Sequence, residues 1–237
     1  MKRDIKFTIK KTANRVYAIL FDNRYDLAMS FVRLQEYYES PDYKGKYFTL
    51  EEYIDYWSIN HGNDSFTYPS VWSGFNIPGN IFAEWVELFL TKNNDIRDKE
   101  LQLVKRIKSR LKRDKVKEDE CYFIGACKSD PNLNKVISHE VAHALYNIDK
   151  SYRKSCGKIF EKILQKEEYA LKIDNARKRL LEMGYCEEVV FDEIQAYWST
   201  SETKDESNPL SREHLFVKNY SHFINKGENR NGKKRNT

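Results

Sequence analysis

The sequence lacks the features that mark membrane, secreted and cysteine-rich proteins. No stretch approaches the roughly 18 apolar residues that a membrane-spanning helix requires, and the charged start of the chain, residues 1–6, lacks the apolar core of a signal peptide. None of the four cysteines forms a Cys-x-x-Cys pair, which argues against a cysteine-based zinc site. We therefore expect a cytoplasmic protein with reduced thiols and no membrane partner; export without an N-terminal signal is the alternative.

The composition is that of a globular protein with a heavily solvated surface. Apolar residues make up 40% of the 237 positions and aromatic residues 14%, whereas disordered chains are poor in aromatic residues. This length suits one large domain or two small ones. The net charge of +5 permits an acidic partner without requiring one.

Hydrophobic periodicity predicts an α+β fold that is rich in helices and has a small sheet. Strands are expected at 5–10, 16–21 and 121–127, the first two as a hairpin. Helices are expected near 22–38, 49–59, 81–90, 96–111, 130–147, 150–183, 188–198 and 211–224, with an irregular loop at 62–80. We predict three regions: a hairpin and helical region that covers or extends a cleft (1–115), a metal-binding catalytic region (116–226) and a disordered basic tail (227–237).

One short segment carries chemistry, the sequence His139-Glu140-Val141-Ala142-His143. Residues four apart lie on one face of a helix, so His139 and His143 can direct two imidazoles at one metal ion. Glu140 follows the first histidine, where its carboxylate can act as general base on a metal-bound water. Apolar residues flank the histidine face, which predicts a partly buried helix that lines a cleft.

A catalytic zinc site needs a third protein ligand. Glu193 is the preferred candidate, because it lies on a predicted helix far enough along the chain for an intervening helix and a return. Ala196, three residues later, would let that helix approach the first one closely. The next candidates are Asp192 and Glu188, followed by the other acidic residues and histidines considered for this place, namely His61, Glu187, Glu213, His214 and His222.

The His139-Glu140-x-x-His143 helix, the strand before it and the later Asp192-Glu193-x-x-Ala196 segment resemble the zincin metallopeptidases. A glutamate as third ligand is similar to their gluzincin branch. The resemblance covers roughly residues 119–199, while the Gly-x-x-His of metzincins is missing and residues 1–115 resemble no peptidase domain. It implies a zinc metallopeptidase with one Zn²⁺ per chain and a protein or peptide substrate, with the strand at 121–127 as an edge for an extended peptide.

The expected reaction is hydrolysis of a peptide bond, in which Glu140 takes the proton of the attacking water and passes it to the leaving amine. A second donor to the oxyanion is expected from Tyr197, Tyr220 or His222, of which we select His222 as the catalytic residue. Such a site also accepts manganese, cobalt or iron. Two other functions fit the sequence: a metal-binding regulatory protein without peptidase activity, and a nucleic-acid-associated protein that uses the basic stretch 105–117.

Overall fold

The computed structural model describes residues 4–72, 74–183, 187–202, 205 and 207–232. The chain divides into two compact units, the first ending at Ile137 and the second beginning at Ser138. The first unit contains a four-stranded mixed sheet and most other residues are helical, so the expected α+β class is confirmed. This division differs from the boundary predicted near residue 115, because the strand that follows residue 115 pairs within the sheet of the first unit.

Four strands form this sheet: β1 (Phe7–Ala13), β2 (Val16–Phe21), β3 (Gly74–Pro78) and β4 (Tyr122–Cys127), in the order β1-β2-β4-β3. β1 and β2 make the predicted antiparallel hairpin, with Arg15 in the left-handed conformation at its turn. β4 runs parallel to β2 and antiparallel to β3. Because β4 is hydrogen-bonded on both sides, the prediction that this strand offers an edge to an extended peptide is wrong.

β3 lies inside the segment 62–80, for which the sequence predicts an irregular loop. Phe75 and Ile77 alternate along it and are buried, while pairing with β4 satisfies its backbone. Pro78 is tolerated because it is the last residue of an outer strand, where a missing N–H costs no ladder bond. Glycine and proline, which are typical of turns, stand at the two ends of this strand, so local composition does not predict it.

Five α-helices of the described chain lie between β2 and β4: α1 (Arg24–Glu39), α2 (Leu50–Asn60), α3 (Tyr68–Val71), α4 (Gly79–Val86) and α5 (Asp98–Asp114). Asn23 caps α1 by accepting a hydrogen bond from the backbone of Asp26. The predicted capping box of α2 is formed by Thr49 and Glu52. α4 continues into a π-helical turn, Glu87–Lys92. These local signals fix where the helices begin, and packing on the sheet fixes the rest.

The core of the first unit is built from aromatic side chains on both the sheet and α1. Phe31 stacks on Phe75 and packs edge-on against Phe21. A Cβ at Gly125 of β4 would lie 2.9 Å from the Phe31 ring, so this close approach of α1 requires glycine. Arg33, on the same helix, is fully buried, and its guanidinium lies over the Phe89 ring at 4.9 Å from the centroid.

The second unit is helical in its described part. It contains most of α6 (Leu133–Ile148), within which the division of the chain falls, followed by α7 (Lys150–Ile163), α8 (Glu167–Glu182), α9 (Val190–Thr200) and α10 (His214–Gly232). The helical stretch predicted over 150–183 is divided after Ile163 into α7 and α8, and the alternative place for a break, Gly157, lies inside α7. α10 includes residues 227–232, for which the sequence predicts disorder, because extending an existing helix needs no new nucleus. Residues 233–237 of the predicted tail lie outside the described residues.

An aromatic cluster joins three helices of the second unit. Phe160 of α7 and Trp198 of α9 both contact Phe216 of α10, with ring centroids 4.8 and 5.4 Å away. The Trp198 indole donates its hydrogen bond to the backbone of Pro209, as a buried indole requires. Among the described residues, no helix combines the length and the apolar character needed to cross a membrane.

Candidate metal centre

The two histidines of α6 point at each other's ring nitrogens. His139 and His143 are one helical turn apart, and their Nε2 atoms are 3.1 Å from each other. Two ligands about 2.0–2.1 Å from one tetrahedral zinc ion are about 3.3 Å apart. The spacing of the two imidazoles is therefore close to that of two nitrogen ligands of one metal ion.

Glu193 of α9 completes the group. Its Oε1 lies 3.5 Å from His143 Nε2 and its Oε2 lies 3.7 Å from His139 Nε2. One ligand atom from each of the three residues lies within 4.8 Å of the other two. Ala196, one turn further along α9, is fully buried, in keeping with the close approach of this helix. The structure thus brings together the three residues that the sequence predicts as ligands.

The chemistry of this donor set fits a divalent cation. Two imidazole nitrogens and a carboxylate oxygen are the ligand types that zinc prefers in catalytic sites. Glu193 is buried, and its Oε2 accepts no hydrogen bond. A buried carboxylate oxygen without a donor is costly, and a cation would satisfy it.

Asp192 contacts the ring nitrogen of His143 that does not face Glu193. Its Oδ1 lies 3.0 Å from His143 Nδ1, so that nitrogen carries the proton and Nε2 is left to bind a metal. Burial lowers the pKa of His143, but the carboxylates of Asp192, Glu193 and Glu140 outweigh burial and raise it to about 10. The same negative field stabilises a bound cation at this position. Asp192 is therefore in contact with His143 and outside the group of His139, His143 and Glu193, a location from which a carboxylate can orient the imidazole.

Glu140 lies beside the centre on α6. One of its carboxylate oxygens is buried, and its charge reaches His143 strongly enough to raise the pKa of that imidazole. It follows His139 directly in the chain, so its carboxylate leaves the helix next to the face that carries the two histidines. The role of general base expected of Glu140 stays a prediction, since that role requires its carboxylate to be within hydrogen-bond reach of the attacking water.

The three candidate oxyanion donors lie in different places. The Tyr197 ring packs on the His139 ring, with centroids 4.6 Å apart. The Tyr220 hydroxyl donates to the backbone oxygen of Ser138, next to His139 in the chain. His222 is exposed on α10, roughly 200° around the helix from Tyr220, and its ring contacts Phe223. The catalytic role expected of His222 stays a prediction, while the two tyrosines are the residues that the structure brings to His139 and its neighbour.

The remaining ligand candidates have other surroundings. His61 belongs to the first unit, where its ring packs on Trp57 with centroids 4.9 Å apart. Glu213 pairs with Lys172, and Glu187 pairs with Arg177. His214 is exposed at the start of α10.

A cavity of about 580 Å³ is lined by residues of α8, of the C-terminal end of α9 and of the segment 207–210. Glu193 and Tyr197 are four residues apart and share one face of α9, and Ser201 is the residue at which this helix ends. Tyr197 and Ser201 line the cavity together with Arg179 of α8 and Asn208. The helix face that presents Glu193 therefore continues into a space large enough for a side chain of a substrate.

Sequence reasoning missed the residues that hold Asp192 in place. Gln195 and Tyr152 are fully buried polar residues. Gln195 donates a hydrogen bond to the Asp192 carboxylate, and Tyr152 donates one to Gln195. The one signal for Gln195 is its polar side chain between Ile194 and Ala196, on a helix that is otherwise apolar there. Tyr152 carries no such signal among the 16 tyrosines of the chain.

Comparison of the chain with known protein families, curated proteins and solved structures finds no match.

Proposed function

We propose that this protein is a zinc-dependent metallopeptidase of the gluzincin type that hydrolyses a peptide bond in a protein or peptide substrate. The observation that carries the proposal is that His139, His143 and Glu193 bring their ligand atoms together. One of these atoms' neighbours, the buried Oε2 of Glu193, accepts no hydrogen bond. A hydrolytic role also explains why an additional carboxylate, that of Glu140, stands beside these three residues.

The number of protein donors favours catalysis over a structural role. Structural zinc sites have four protein ligands, whereas catalytic sites have three. Within the described residues the metal-binding group has three members. This difference favours a catalytic site over a structural zinc site, while the regulatory rival, which binds metal without cleaving, is tested by the cleavage assay below.

His139, His143 and Glu193 would hold the ion, and a divalent ion held there would polarise a carbonyl group and make water more acidic. Glu140 accepts the proton of the attacking water and delivers it to the nitrogen of the leaving amine as the peptide bond breaks. Asp192 keeps the His143 ring in the orientation and tautomer that metal binding requires. Tyr197 would donate a hydrogen bond to the developing oxyanion, a role supported by the packing of its ring against His139.

The cavity beside Tyr197 is the proposed location for a side chain of the substrate. Arg179 is the cationic residue in its lining, so acidic side chains are favoured there over basic ones. A cytoplasmic setting is also part of the proposal, because Cys121, Cys127 and Cys156 are buried free thiols rather than disulfides.

The first test measures metal content by elemental mass spectrometry on the wild type, His143→Ala and Glu193→Gln. We expect about one zinc ion per chain in the wild type, loss of zinc in His143→Ala and weaker binding in Glu193→Gln. Wild-type protein that takes up no metal when zinc is supplied contradicts the proposal.

The second test separates cleavage from binding alone. A peptide library is incubated with the zinc-loaded wild type and with Glu140→Gln, which keeps all three ligands. We expect cleavage by the wild type and a loss of at least about 100-fold in Glu140→Gln, because general-base catalysis contributes roughly 100- to 10,000-fold. Zinc binding without any cleavage would favour the regulatory rival.

A further inference from the structure

Gln195 connects three helices of the second unit through a single amide group. It lies on α9 and is fully buried. Its Nε2 donates to Asp192 Oδ1 at 2.9 Å and to the backbone oxygen of Ala142 on α6 at 3.3 Å. Its Oε1 accepts from the Tyr152 hydroxyl of α7 at 2.8 Å. Both N–H donors and the carbonyl oxygen of this amide are therefore in use.

These partners allow only one orientation of the amide. Exchanging its nitrogen and oxygen would set the carbonyl oxygen against two acceptors, the Asp192 carboxylate and the Ala142 carbonyl. In a fully buried position that repulsion has no water to relieve it. Gln195 thus has a fixed direction, with its N–H groups towards α6 and Asp192.

The atom of Asp192 that Gln195 contacts is also the atom that faces the metal centre. Asp192 Oδ1 accepts from Gln195 and lies 3.0 Å from His143 Nδ1. The contact with Ala142 falls between His139 and His143 on α6, and it joins that helix to the one that carries Glu193. One side chain therefore acts on the orientation of a histidine and on the distance between the two ligand-bearing helices.

We propose that Gln195 is a positioning residue of the metal centre, held in turn by Tyr152, and that it sets both the orientation of His143 and the placement of Glu193. The proposal rests on the metal site of the proposed function. A purely structural role would make Gln195 matter for the stability of the metal-free protein alone. A positioning role makes it matter for metal affinity and for the geometry of coordination as well.

The experiment compares the wild type with Gln195→Met, which has a similar size and makes no hydrogen bonds. Zinc affinity is measured by competition with a chelating indicator. The visible absorption of the Co²⁺-substituted protein reports coordination geometry, and the stability of each metal-free variant is measured by urea unfolding. The matched control is Ser199→Ala: Ser199 is buried and its hydroxyl lies 3.5 Å from that of Tyr152. Tyr152→Phe removes the hydroxyl that donates to Gln195 Oε1 and serves as the deciding variant if Gln195→Met does not fold.

We expect zinc affinity to fall about 10- to 100-fold in Gln195→Met, with a changed Co²⁺ spectrum. Tyr152→Phe should fall in the same direction by a smaller factor, and Ser199→Ala should match the wild type. Unchanged affinity and spectrum in folded Gln195→Met overturn this inference while leaving the metal site in place. If Gln195→Met does not fold, unchanged zinc affinity and an unchanged Co²⁺ spectrum in Tyr152→Phe overturn this inference instead. A wild type that binds no zinc overturns the proposed function and this inference with it.

Discussion

Each unit of the molecule buries a charged cluster, and the two clusters differ in whether they are complete. In the first unit, all five N–H donors of Arg33 are satisfied by Glu100, Asp95 and the backbone of Phe48. In the second unit, Glu193 keeps a buried oxygen without a donor, and two imidazole nitrogens face each other at 3.1 Å. A buried network in which every polar group has a partner stabilises a fold. A buried cluster of metal-ligating atoms that lacks such partners indicates a site for a ligand.

The largest effect is expected where the closed network is broken. Arg33→Met leaves the carboxylate of Glu100 buried without its partner, so the free energy of unfolding should fall by about 3–5 kcal/mol in urea denaturation. Lys108→Met, which breaks an exposed pair with Glu118, is the control and should change stability by less than about 1 kcal/mol. Equal effects of the two substitutions would show that the Arg33 network does not support the fold.

Metal removal should act on the open cluster. Zinc bound to the folded state stabilises it by about 2.7 kcal/mol when the free ion stands at 100 times its Kd. We therefore expect a chelator to lower the melting temperature of the zinc-loaded wild type. The same chelator should leave the melting temperature of His143→Ala nearly unchanged. If the chelator shifts both proteins equally, its effect does not pass through this centre.

A smaller effect is expected from substituting Asp192, the residue that contacts His143 Nδ1. Asp192→Asn keeps the size of the side chain and removes the charge that faces His143 Nδ1. Zinc affinity should fall by about 10-fold or more, measured by competition titration. Asp174→Asn, in an exposed pair with Lys178 on α8, is the matched control. Equal affinities for both variants would remove Asp192 from the description of the centre.

The smallest effect tests whether a buried unpaired oxygen is by itself a sign of a site. Gln35 Oε1 in the first unit is also buried without a partner, but it belongs to a neutral amide, whereas the Glu193 oxygen belongs to a carboxylate beside two imidazoles. Gln35→Met should change the free energy of unfolding by less than about 1 kcal/mol, because the lost contact with Glu39 is exposed and the unsatisfied acceptor disappears. A loss of about 3 kcal/mol or more would mean that Gln35 has a partner of its own.

Local patterns predict much of the fold and part of the centre. The β1–β2 hairpin, the capping box of Thr49 and the helix that carries His139 and His143 all follow from residues close together in sequence. β3 does not, because its pairing with the distant β4 outweighs the turn residues at its ends. The central position of β4 likewise depends on partners from two other parts of the chain.

The sequence by itself determined that two imidazoles share one helix face, since a spacing of four residues allows nothing else in an α-helix. For a third ligand it left Glu193 as the preferred candidate, followed by Asp192, Glu188 and several other acidic residues and histidines. Only the tertiary structure brings Glu193, rather than the adjacent Asp192, into one group with the two histidines, since neighbouring side chains on a helix point about 100° apart. The roll of α9 directs Glu193 to the Nε2 atoms and Asp192 to His143 Nδ1, and the buried contacts of Gln195 with α6 and α7 accompany that roll. Such contacts join residues far apart in sequence, so no local pattern encodes them.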